Sequence, residues 1–357
     1  MRILVTGGAG FVGSRLALLF RDAEPNAEIV TFDNLKRRGA EINLPIFAAH
    51  NIGFVHGDVR SQNDLDGIPG GAFDIVIDAA AEPSVHAGTS GSPAYVLETN
   101  LIGTLNLLET VRKRGGCGAF VFLSTSRVYS IAPLRAVALT EAETRFEIAP
   151  DQTTPGVTAS GIGETFPTVT ARSLYGASKL GSELVVQEYA ETYKLPAIIN
   201  RCGVIAGPGQ FGKVDQGVFT LWVANHHFGK PLKYIGFGGQ GKQVRDLLHP
   251  DDLFALIRKE IAVVDAHAGR VYNAGGGVPI STSLLELTAL CRSVTGREVP
   301  IASDPNTAAV DIPLYVSDNT KATEQFGWTP HKDVGVIVGE IATWLRENET
   351  ALRPLFG

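Results

Sequence analysis

Apolar and polar positions follow two different patterns along the first half of the chain. Short runs of β-branched and other apolar residues predict buried strands, and longer stretches with an apolar stripe predict helices. The strands are predicted at residues 2–6, 28–32, 52–55, 74–77, 119–123 and 197–200, and the helices at residues 14–20, 94–114 and 173–193. Strands that alternate with helices predict an α/β fold with a doubly wound parallel sheet, which binds ligands at the C-terminal ends of its strands.

The second half of the chain has a different pattern. Residues from about 132 to 170 are rich in Pro and Thr, which predicts a long insertion that acts as an active-site flap. Beyond Arg201, glycine and proline clusters predict a smaller, discontinuous lobe with helices at residues 252–264, 283–292 and 334–346. We therefore predict a first domain over residues 1–201, which includes the insertion. The second lobe mainly covers residues 202–357, with returns to the first domain at about 233–272.

Composition narrows the choice of partners. A net charge of −6 and a pI near 5.8 argue against a nucleic-acid or anionic-membrane surface. Cys117, Cys202 and Cys291 are odd in number and far apart, without the spacing of metal ligands, which favours a reducing compartment. The chain opens directly into its first strand and contains no apolar run long enough to span a bilayer. We expect a soluble, cytoplasmic protein with no bound metal.

A glycine-rich turn joins the first predicted strand to the first helix. Gly7, Gly10 and Gly13 have the spacing GxxGxxG. Small residues let the backbone approach a pyrophosphate, and the helix N-terminus offers free N–H groups and the positive end of its dipole. The alternative is a tight loop without a ligand. The order of strand, glycines and helix favours a Rossmann-like dinucleotide site.

The second predicted strand supports this interpretation because it ends on Asp33, at the expected distance beyond the last glycine. A carboxylate at this point accepts both hydroxyls of the adenosine ribose and repels a 2′-phosphate, so the predicted cofactor is NAD rather than NADP. Lys36, Arg37 and Arg38 follow closely. Such a basic cluster is either a solvated loop or a contact to the cofactor phosphates.

The predicted helix at 173–193 carries the candidate chemistry. Tyr175 and Lys179 are four residues apart and share a helix face. An ammonium beside a phenol favours the phenolate and makes the tyrosine a general base for a sugar hydroxyl. Thr125, at the end of the fifth strand, supplies a hydroxyl that can share the proton. Taken alone, the YxxxK spacing also fits two ordinary helix residues.

These motifs together resemble the extended short-chain dehydrogenases/reductases of the nucleotide-sugar epimerase/dehydratase group. The matching stretches are TGGAGFVG, the Asp33-Asn34-Leu35 end of the second strand, GDV, Asn100, ST before VY, and YGASK. The resemblance runs essentially end to end. Within the group the chain is most similar to the CDP-paratose (CDP-tyvelose) 2-epimerases, through DNLKRRGAEINL, FVHGDVR, Asp215-Gln216-Gly217, GKQVRDLLHPDDL and the segment from Asp311 to Asp318.

The resemblance implies a role for each matching position. Tyr175 would be the base, Lys179 its partner and a ligand of the nicotinamide ribose, and Thr125 the hydroxyl relay. The implied NAD site comprises Gly7, Gly10, Phe11, Val12, Gly13, Asp33, Asn34, Arg37, Asp58, Val59, Ala80, Asn100, Ser124, Tyr175, Lys179 and Cys202. Arg245 would clamp the substrate diphosphate, since a guanidinium fork suits phosphate oxygens; the alternative is a surface salt bridge to Asp246. The other substrate-binding residues would be Thr125, Lys213, Gln216 and Asp311.

Four positions depart from the group's patterns. Asp78 stands where many relatives have histidine, and Ala308 where some have arginine. Relatives that eliminate water from the sugar carry an Asp-Glu pair after the threonine. Ser126 and Arg127 stand there in this chain. The resemblance therefore argues against 4,6-dehydratase chemistry.

We expect an NAD-dependent epimerase that inverts a sugar carbon of a nucleotide sugar, with C2 of a CDP-hexose favoured. Inversion would proceed by transient oxidation to a keto sugar and re-reduction. The alternatives are a 4-epimerase, which shares these catalytic residues, and a catalytically silent NAD-binding sensor. The resemblance also implies a homodimer or homotetramer, in which the helix at 94–114 and the helix of Tyr175 pair across a two-fold axis.

Two further features are assigned to structure rather than to a ligand. His226 and His227 point to different sides of a helix, so we interpret them as surface residues and not as a metal site. Trp222 and Trp328 are interpreted as packing residues.

Overall fold

The computed structural model describes residues 1–88, 92–212 and 217–356. The strands are β1 (Arg2–Thr6), β2 (Glu28–Asp33), β3 (Gly53–His56), β4 (Phe73–Asp78), β5 (Cys117–Thr125), β6 (Leu139–Glu141), β7 (Phe146–Ile148), β8 (Val157–Thr158), β9 (Gly161–Ile162), β10 (Ala197–Cys202), β11 (Val204–Ile205), β12 (Leu232–Ile235), β13 (Val244–Leu248), β14 (Arg270–Ala274), β15 (Ser281–Ser283), β16 (Ile301–Asp304) and β17 (Leu314–Tyr315). The helices are α1 (Phe11–Ala23), α2 (Asn43–Ala49), α3 (Gln62–Asp66), α4 (Ala94–Leu97), α5 (Gly103–Lys113), α6 (Ile131–Ala136), α7 (Leu174–Tyr193), α8 (Val218–Phe228), α9 (Pro250–Ile261), α10 (Leu284–Thr295), α11 (Thr320–Phe326), α12 (Val334–Glu347) and α13 (Glu349–Phe356).

The largest sheet has seven strands in the order β14-β10-β5-β4-β1-β2-β3. Strands β3, β2, β1, β4 and β5 pair in parallel. The chain starts in the middle of the sheet, moves out to β3 and then returns to β4 on the other side of β1. This reversal between β1 and β4 is where doubly wound sheets bind dinucleotides. The α/β fold class is confirmed, and all six strands expected from the pattern are present.

The chain divides into two compact units. The first consists of residues 1–128, 173–201 and 253–272, and the second of residues 129–172, 202–252 and 273–357. The sequence pattern assigned the insertion at 132–170 to the first domain, whereas this division places it in the second unit. The return to the first unit likewise covers residues 253–272 rather than about 233–272.

The core of the first unit explains why its strands are continuous apolar runs in the sequence. Leu4, Val76 and Phe120 come from β1, β4 and β5, and they are fully buried together with Leu107 and Val111 of α5. A strand that is covered on both faces has no polar side to show in its sequence. This packing holds the C-terminal strand ends at one edge of the sheet.

The second unit is built on the helices α8, α10 and α12, whose apolar faces meet in one core. Its strand β13 pairs with β11, β15 and β17. The insertion that we expected to be a flap forms helix α6 and two hairpins, β6–β7 and β8–β9. The backbone of Ile162 bonds to Val316 and Asp318 at 2.8 and 3.0 Å, so the second hairpin is tied into this unit.

The tryptophan interpretation is confirmed, but the histidine interpretation is half wrong. Trp222 and Trp328 are buried. His226, however, lies fully buried with its Nδ1 2.8 Å from the carbonyl of Trp222, and burial lowers the pKa of its imidazole. Helix α8 sits between other helices, so this side of it faces the core. His227 is only half-buried.

No group of three or more His, Cys, Asp and Glu side chains in the described part of the chain is arranged to hold a metal ion. Across the same residues, no helix combines the length and the apolar character that crossing a lipid bilayer requires.

Candidate active site

The glycine-rich turn has the close backbone packing that its residue types predict. Gly7 has a φ of +62°, and a Cβ placed on it would lie 2.6 Å from the carbonyl oxygen of Ala79. A Cβ on Gly13 would collide with the carbonyl of Gly7. Helix α1 follows Gly10, which provides no side-chain cap. The first N–H groups of α1 are therefore left for a ligand, and the turn fits a dinucleotide pyrophosphate.

Asp33 connects this turn to the end of β2. Its carboxylate accepts the backbone N–H of Ala9 at 3.1 Å and that of Leu35 at 2.8 Å. Burial raises the pKa of Asp33, and the backbone hydrogen bonds from Leu35, Ala9 and Gly10 partly oppose that rise. The carboxyl group thus lies directly beside the glycines, as a ribose-binding acid requires. Asn43, which the sequence did not single out, donates to the carbonyl of Ala9 at 2.8 Å.

A polar cluster follows β3. Asn34 donates to Asp58 at 3.0 Å, and the Arg60 guanidinium donates to the same carboxylate at 2.7 Å. The hydrogen bond from Arg60 lowers the pKa of Asp58 to about 2. Two cations contact the ring of Tyr95, with the Lys36 ammonium 3.0 Å and the Arg60 guanidinium 4.8 Å from its centre. Arg60 and Tyr95 were missed, although Arg60 directly follows the GDV motif.

The end of β4 explains one departure from the group's pattern. Asp78 is buried and accepts the hydroxyls of Thr6 and Thr104, each at 2.8 Å. It therefore ties β4 to β1 and to α5 rather than facing a ligand. Ala80 lies two residues further on and is half-buried.

Asn100 is fully buried within a π-helical turn, residues 98–102, that joins α4 to α5. Its amide donates to the carbonyl of Glu82 at 3.1 Å and to the hydroxyl of Ser178 at 2.9 Å, and it accepts the N–H of Glu82 at 2.8 Å. Ser182 donates to the Asn100 carbonyl at 2.9 Å. Asn100 thus joins the loop after β4 to helix α7, which carries Tyr175. Single π turns of this kind are common at functional sites.

Helix α7 presents the candidate base and its partner on one buried face. It begins after Ser173, whose hydroxyl caps the N–H of Gly176 at 3.1 Å. Tyr175 is 9% exposed and Lys179 only 1%. The Lys179 ammonium lies 3.9 Å from the centre of the Phe122 ring in β5. A desolvated cation on an aromatic face is stabilised by about 2 kcal/mol, which holds the lysine against β5.

Thr125 closes β5, the strand against which α7 packs. It is 7% exposed, and its hydroxyl oxygen accepts the N–H of Arg127 at 3.2 Å. The base, the lysine and the hydroxyl thus belong to one packed pair of elements in the first unit.

A buried network lies behind this group. Ser124 donates to Glu183, and Glu183 forms a bidentate ion pair with Arg201 of β10, with a closest approach of 2.7 Å. All three side chains are buried. Glu183 was missed, yet it stands four residues after Lys179 and so lies on the same helix face. The network links α7 to β5 and β10, and it therefore helps to fix the position of the helix relative to the sheet.

The structure brings most of the predicted NAD residues to one edge of the first unit. These residues lie at or just after the ends of strands β1 to β5, or on α1, α7 and the π turn. They are Gly7, Gly10, Phe11, Val12, Gly13, Asp33, Asn34, Arg37, Asp58, Val59, Ala80, Asn100, Ser124, Tyr175 and Lys179. Cys202 is buried at the end of β10 and belongs to the second unit.

The second unit holds the predicted diphosphate clamp. Arg245, in β13, donates to the carbonyls of Val244 and Ile312 at 2.7 and 2.8 Å. The alternative of a surface salt bridge to Asp246 is wrong in its premise. Asp246 is fully buried, and its carboxylate accepts the backbone N–H groups of Ser317 and Gly277.

The remaining substrate predictions fall on loops. Asp311 is half-buried, and its carbonyl accepts a hydrogen bond from Arg135 of α6 at 2.7 Å. Arg135 also donates to the carbonyl of Ala308 at 2.6 Å. One guanidinium thus stabilises the loop that contains Ala308, where some relatives have arginine. Lys213 and Gln216 lie outside the described residues.

Comparison with known proteins identifies the family of the chain. Residues 3–275 match the model of the NAD dependent epimerase/dehydratase family. The chain is 31% identical to the CDP-paratose 2-epimerase of Salmonella typhi over 96% of this chain and 99% of that protein. It is 25% identical to the UDP-glucose 4-epimerase structure from Thermotoga maritima, with a TM-score of 0.74, covering 98% of this chain and 100% of that one. It is 29% identical to a dTDP-glucose 4,6-dehydratase structure from Streptomyces venezuelae with NAD bound, with a TM-score of 0.75 and coverage of 99% and 100%.

The glycine turn leaves no room for a Cβ on Gly7 or Gly13, and the carboxylate of Asp33 lies beside it at the end of β2. Both features fit the cofactor that the family model specifies. The chain therefore belongs to the NAD-dependent epimerase/dehydratase family and uses NAD.

Proposed function

We propose that this chain is a nucleotide-sugar epimerase that inverts C2 of a CDP-hexose. The observation that carries the proposal is the buried pair of Tyr175 and Lys179 on α7, packed against the strand that ends at Thr125. A pair of this kind is a general base with no use in a module that only binds NAD. This argues against the silent sensor.

The protein's own groups act on the sugar hydroxyl. The buried Lys179 ammonium favours the phenolate of Tyr175, which then accepts the hydroxyl proton, with Thr125 sharing that hydrogen bond. NAD, when bound, supplies a reversible hydride acceptor at the same carbon. Carbon C2 lies between an acetal carbon and a carbinol carbon, and no adjacent carbonyl group acidifies its C–H bond. A tyrosinate therefore does not remove that hydrogen as a proton.

The choice among the reactions of the family rests on two observations. Ser126 and Arg127 follow Thr125, so the Asp-Glu pair that the resemblance associates with dehydratases is missing. The identity to a CDP-paratose 2-epimerase is 31%, against 29% to the dTDP-glucose 4,6-dehydratase structure and 25% to the UDP-glucose 4-epimerase structure. Inversion at C4 is the second candidate, supported by the likeness to a UDP-glucose 4-epimerase.

The test is incubation of the purified protein with CDP-, GDP-, UDP- and dTDP-sugars in D2O, followed by NMR of the products. We expect a CDP-hexose inverted at C2 without solvent deuterium at that carbon. Solvent deuterium at C2 would contradict the oxidation mechanism, and inversion at C4 would move the assignment to the second candidate. Loss of water with formation of a 4-keto-6-deoxy sugar would overturn the proposal.

The matched control is Tyr175→Phe, which removes only the proton carrier. We expect turnover to fall about 10²–10⁴-fold with NAD still bound after purification. Unchanged turnover would remove Tyr175 from the mechanism.

We also propose that Arg245 and Asp311 of the second unit bind the nucleotide sugar, and that the chain forms a homodimer or homotetramer. The exposed apolar side chains of Ile102 and Leu184, on the π turn and on α7, support a subunit contact there. Light scattering coupled to size-exclusion chromatography tests this. A Leu184→Asp variant should show a lower molar mass than the wild type.

A further inference from the structure

A pocket of about 250 Å³ lies in the second unit, on residues that the proposed reaction does not use. Its walls include Arg297, Arg346, Arg353, Glu349, His227 and Phe228, and we name it the arginine pocket. The C-terminal parts of helices α8, α10 and α12 contribute to its walls, and so does α13.

The charges in the arginine pocket are unbalanced. Glu349 is its one lining carboxylate, and it pairs with Arg353 and lies 3.4 Å from His227. Within the described residues, Arg346 makes one side-chain hydrogen bond, to the hydroxyl of Thr343 at 3.0 Å. The Arg297 guanidinium has no hydrogen bond or ion pair with any described residue, and it belongs to a chain whose net charge is −6. The one acid of the pocket is thus paired with Arg353, and the other two guanidinium groups have no ion pair with a described residue.

Helix ends offer a simpler explanation for these cations. The C-terminal end of a helix carries a partial negative charge that favours arginine. Neither Arg297 nor Arg346, however, donates from its side chain to a terminal carbonyl of α8, α10 or α12 among the described residues. The helix dipoles lower the cost of placing the two groups together, and both side chains are exposed, so an anion can reach their N–H donors from solvent.

We propose that the arginine pocket binds a small phosphate-bearing anion. All three cations are arginines, whose planar forks match phosphate oxygens, and a phosphate group offers three acceptors where a carboxylate offers two. The volume is below the range of about 300–1,000 Å³ that is usual for drug-sized ligands, so the ligand is a free phosphate or a small phosphate ester.

Isothermal titration with inorganic phosphate at about 0.15 M ionic strength tests the proposal. We expect saturable binding by the wild type, at least tenfold weaker binding for Arg297→Gln and for Arg346→Gln, and none for the double variant. Arg292→Gln is the matched control, because Arg292 is exposed on α10 in the same unit but does not line the pocket. Comparing the double variant with the wild type isolates this site from any phosphate bound at the nucleotide site.

Further arms identify the ligand. Arg297→Lys keeps the charge but loses the fork, so its binding should fall between those of the wild type and Arg297→Gln. Tighter binding of glycerol phosphate than of inorganic phosphate would identify an ester as the ligand, and the reverse order would identify the free ion. Circular dichroism verifies that each variant is folded. Equal binding by the wild type and the double variant, equal loss in Arg292→Gln, or acetate binding as tightly as phosphate would each overturn the proposal.

Discussion

Glu183 and Glu260 are two fully buried carboxyl groups that meet consecutive residues of the same strand, β10. Arg201 pairs with Glu183 of α7, and Asn200 donates to Glu260 of α9 at 2.7 Å. Because successive residues of a strand point to opposite faces, the two acids lie on opposite sides of the sheet. One has a guanidinium as its partner and the other has only an amide.

The difference in partner changes the state of the acid. Burial raises the pKa of Glu260 to about 8, and the hydrogen bond from Asn200 opposes that rise only weakly. Its Oε1 has no hydrogen-bond partner among the described residues, which fits a protonated carboxyl group. Glu183 has an ion pair and the Ser124 hydroxyl instead. The charged arrangement lies on the side of the sheet that carries Tyr175, and the neutral one lies on the other side.

The largest effect is expected from Glu183→Gln, which leaves the buried Arg201 guanidinium uncompensated. Breaking a buried ion pair from one side costs about 3–5 kcal/mol of the free energy of unfolding. Urea unfolding followed by circular dichroism near pH 7 measures this loss. Glu188→Gln is the control, because Glu188 is exposed on the same helix and should change stability by less than about 0.5 kcal/mol. A loss below about 1 kcal/mol for Glu183→Gln would show that the pair is dispensable.

A smaller effect is expected from Ser124→Ala. The variant removes one hydrogen bond to a charged group but leaves the pair with Arg201, so we expect a loss of about 1.5–3 kcal/mol in the same unfolding measurement. In the Glu183→Gln background the serine has lost its charged acceptor, and the same change should cost less. Equal costs in both backgrounds would show that Ser124 acts independently of Glu183.

Glu260 provides a test by pH. Below the unfolded pKa of 4.5 the carboxyl is protonated in both states, and between 4.5 and about 8 only the folded chain holds the proton. The contribution of Glu260 to the free energy of unfolding therefore falls as the pH rises through this range, by at most about 1.4 kcal/mol per pH unit. Glu260→Gln cannot titrate, so its unfolding free energy should rise relative to the wild type from about pH 5 to about pH 8. Parallel pH curves for the two proteins would exclude a protonated Glu260.

The smallest expected change is the activity of Glu260→Gln near neutral pH. An amide reproduces the neutral carboxyl, and Glu260 lies on the face of β10 away from α7, so turnover should match that of the wild type. A spectrophotometric or NMR assay of turnover, with Glu183→Gln measured alongside, separates the two faces. A loss of activity in Glu260→Gln would show that the sheet couples them.

Local patterns predicted where in the fold most of the proposed NAD-binding residues lie. The glycine turn, Asp33 and the Tyr175–Lys179 pair each lie within one element or one turn, where spacing alone determines which side chains share a face. The strands of the sheet were predicted for the same reason. Apolar runs follow from burial on both faces and need no knowledge of the strand order.

The partners that come from distant parts of the chain were not predictable in this way. Glu183 and Arg201 meet only because α7 and β10 pack together. In a sequence, a charged residue is normally interpreted as solvent-exposed. Asp78 was noted as a departure, yet its acceptor role depends on Thr6 and Thr104, which come from two other elements. His226 was misplaced because its helix shows no polar face.

The π turn at residues 98–102 limits how this region tolerates insertions and deletions. A π turn contains one residue more than the α-helical turn it replaces. Deleting one residue there would close the wide turn into regular helix and move Asn100 from its present position. Its amide would then face away from Ser178 and Glu82, although every other residue of the helix had been kept. The length of this helix is therefore as much a part of the site as the identity of its asparagine.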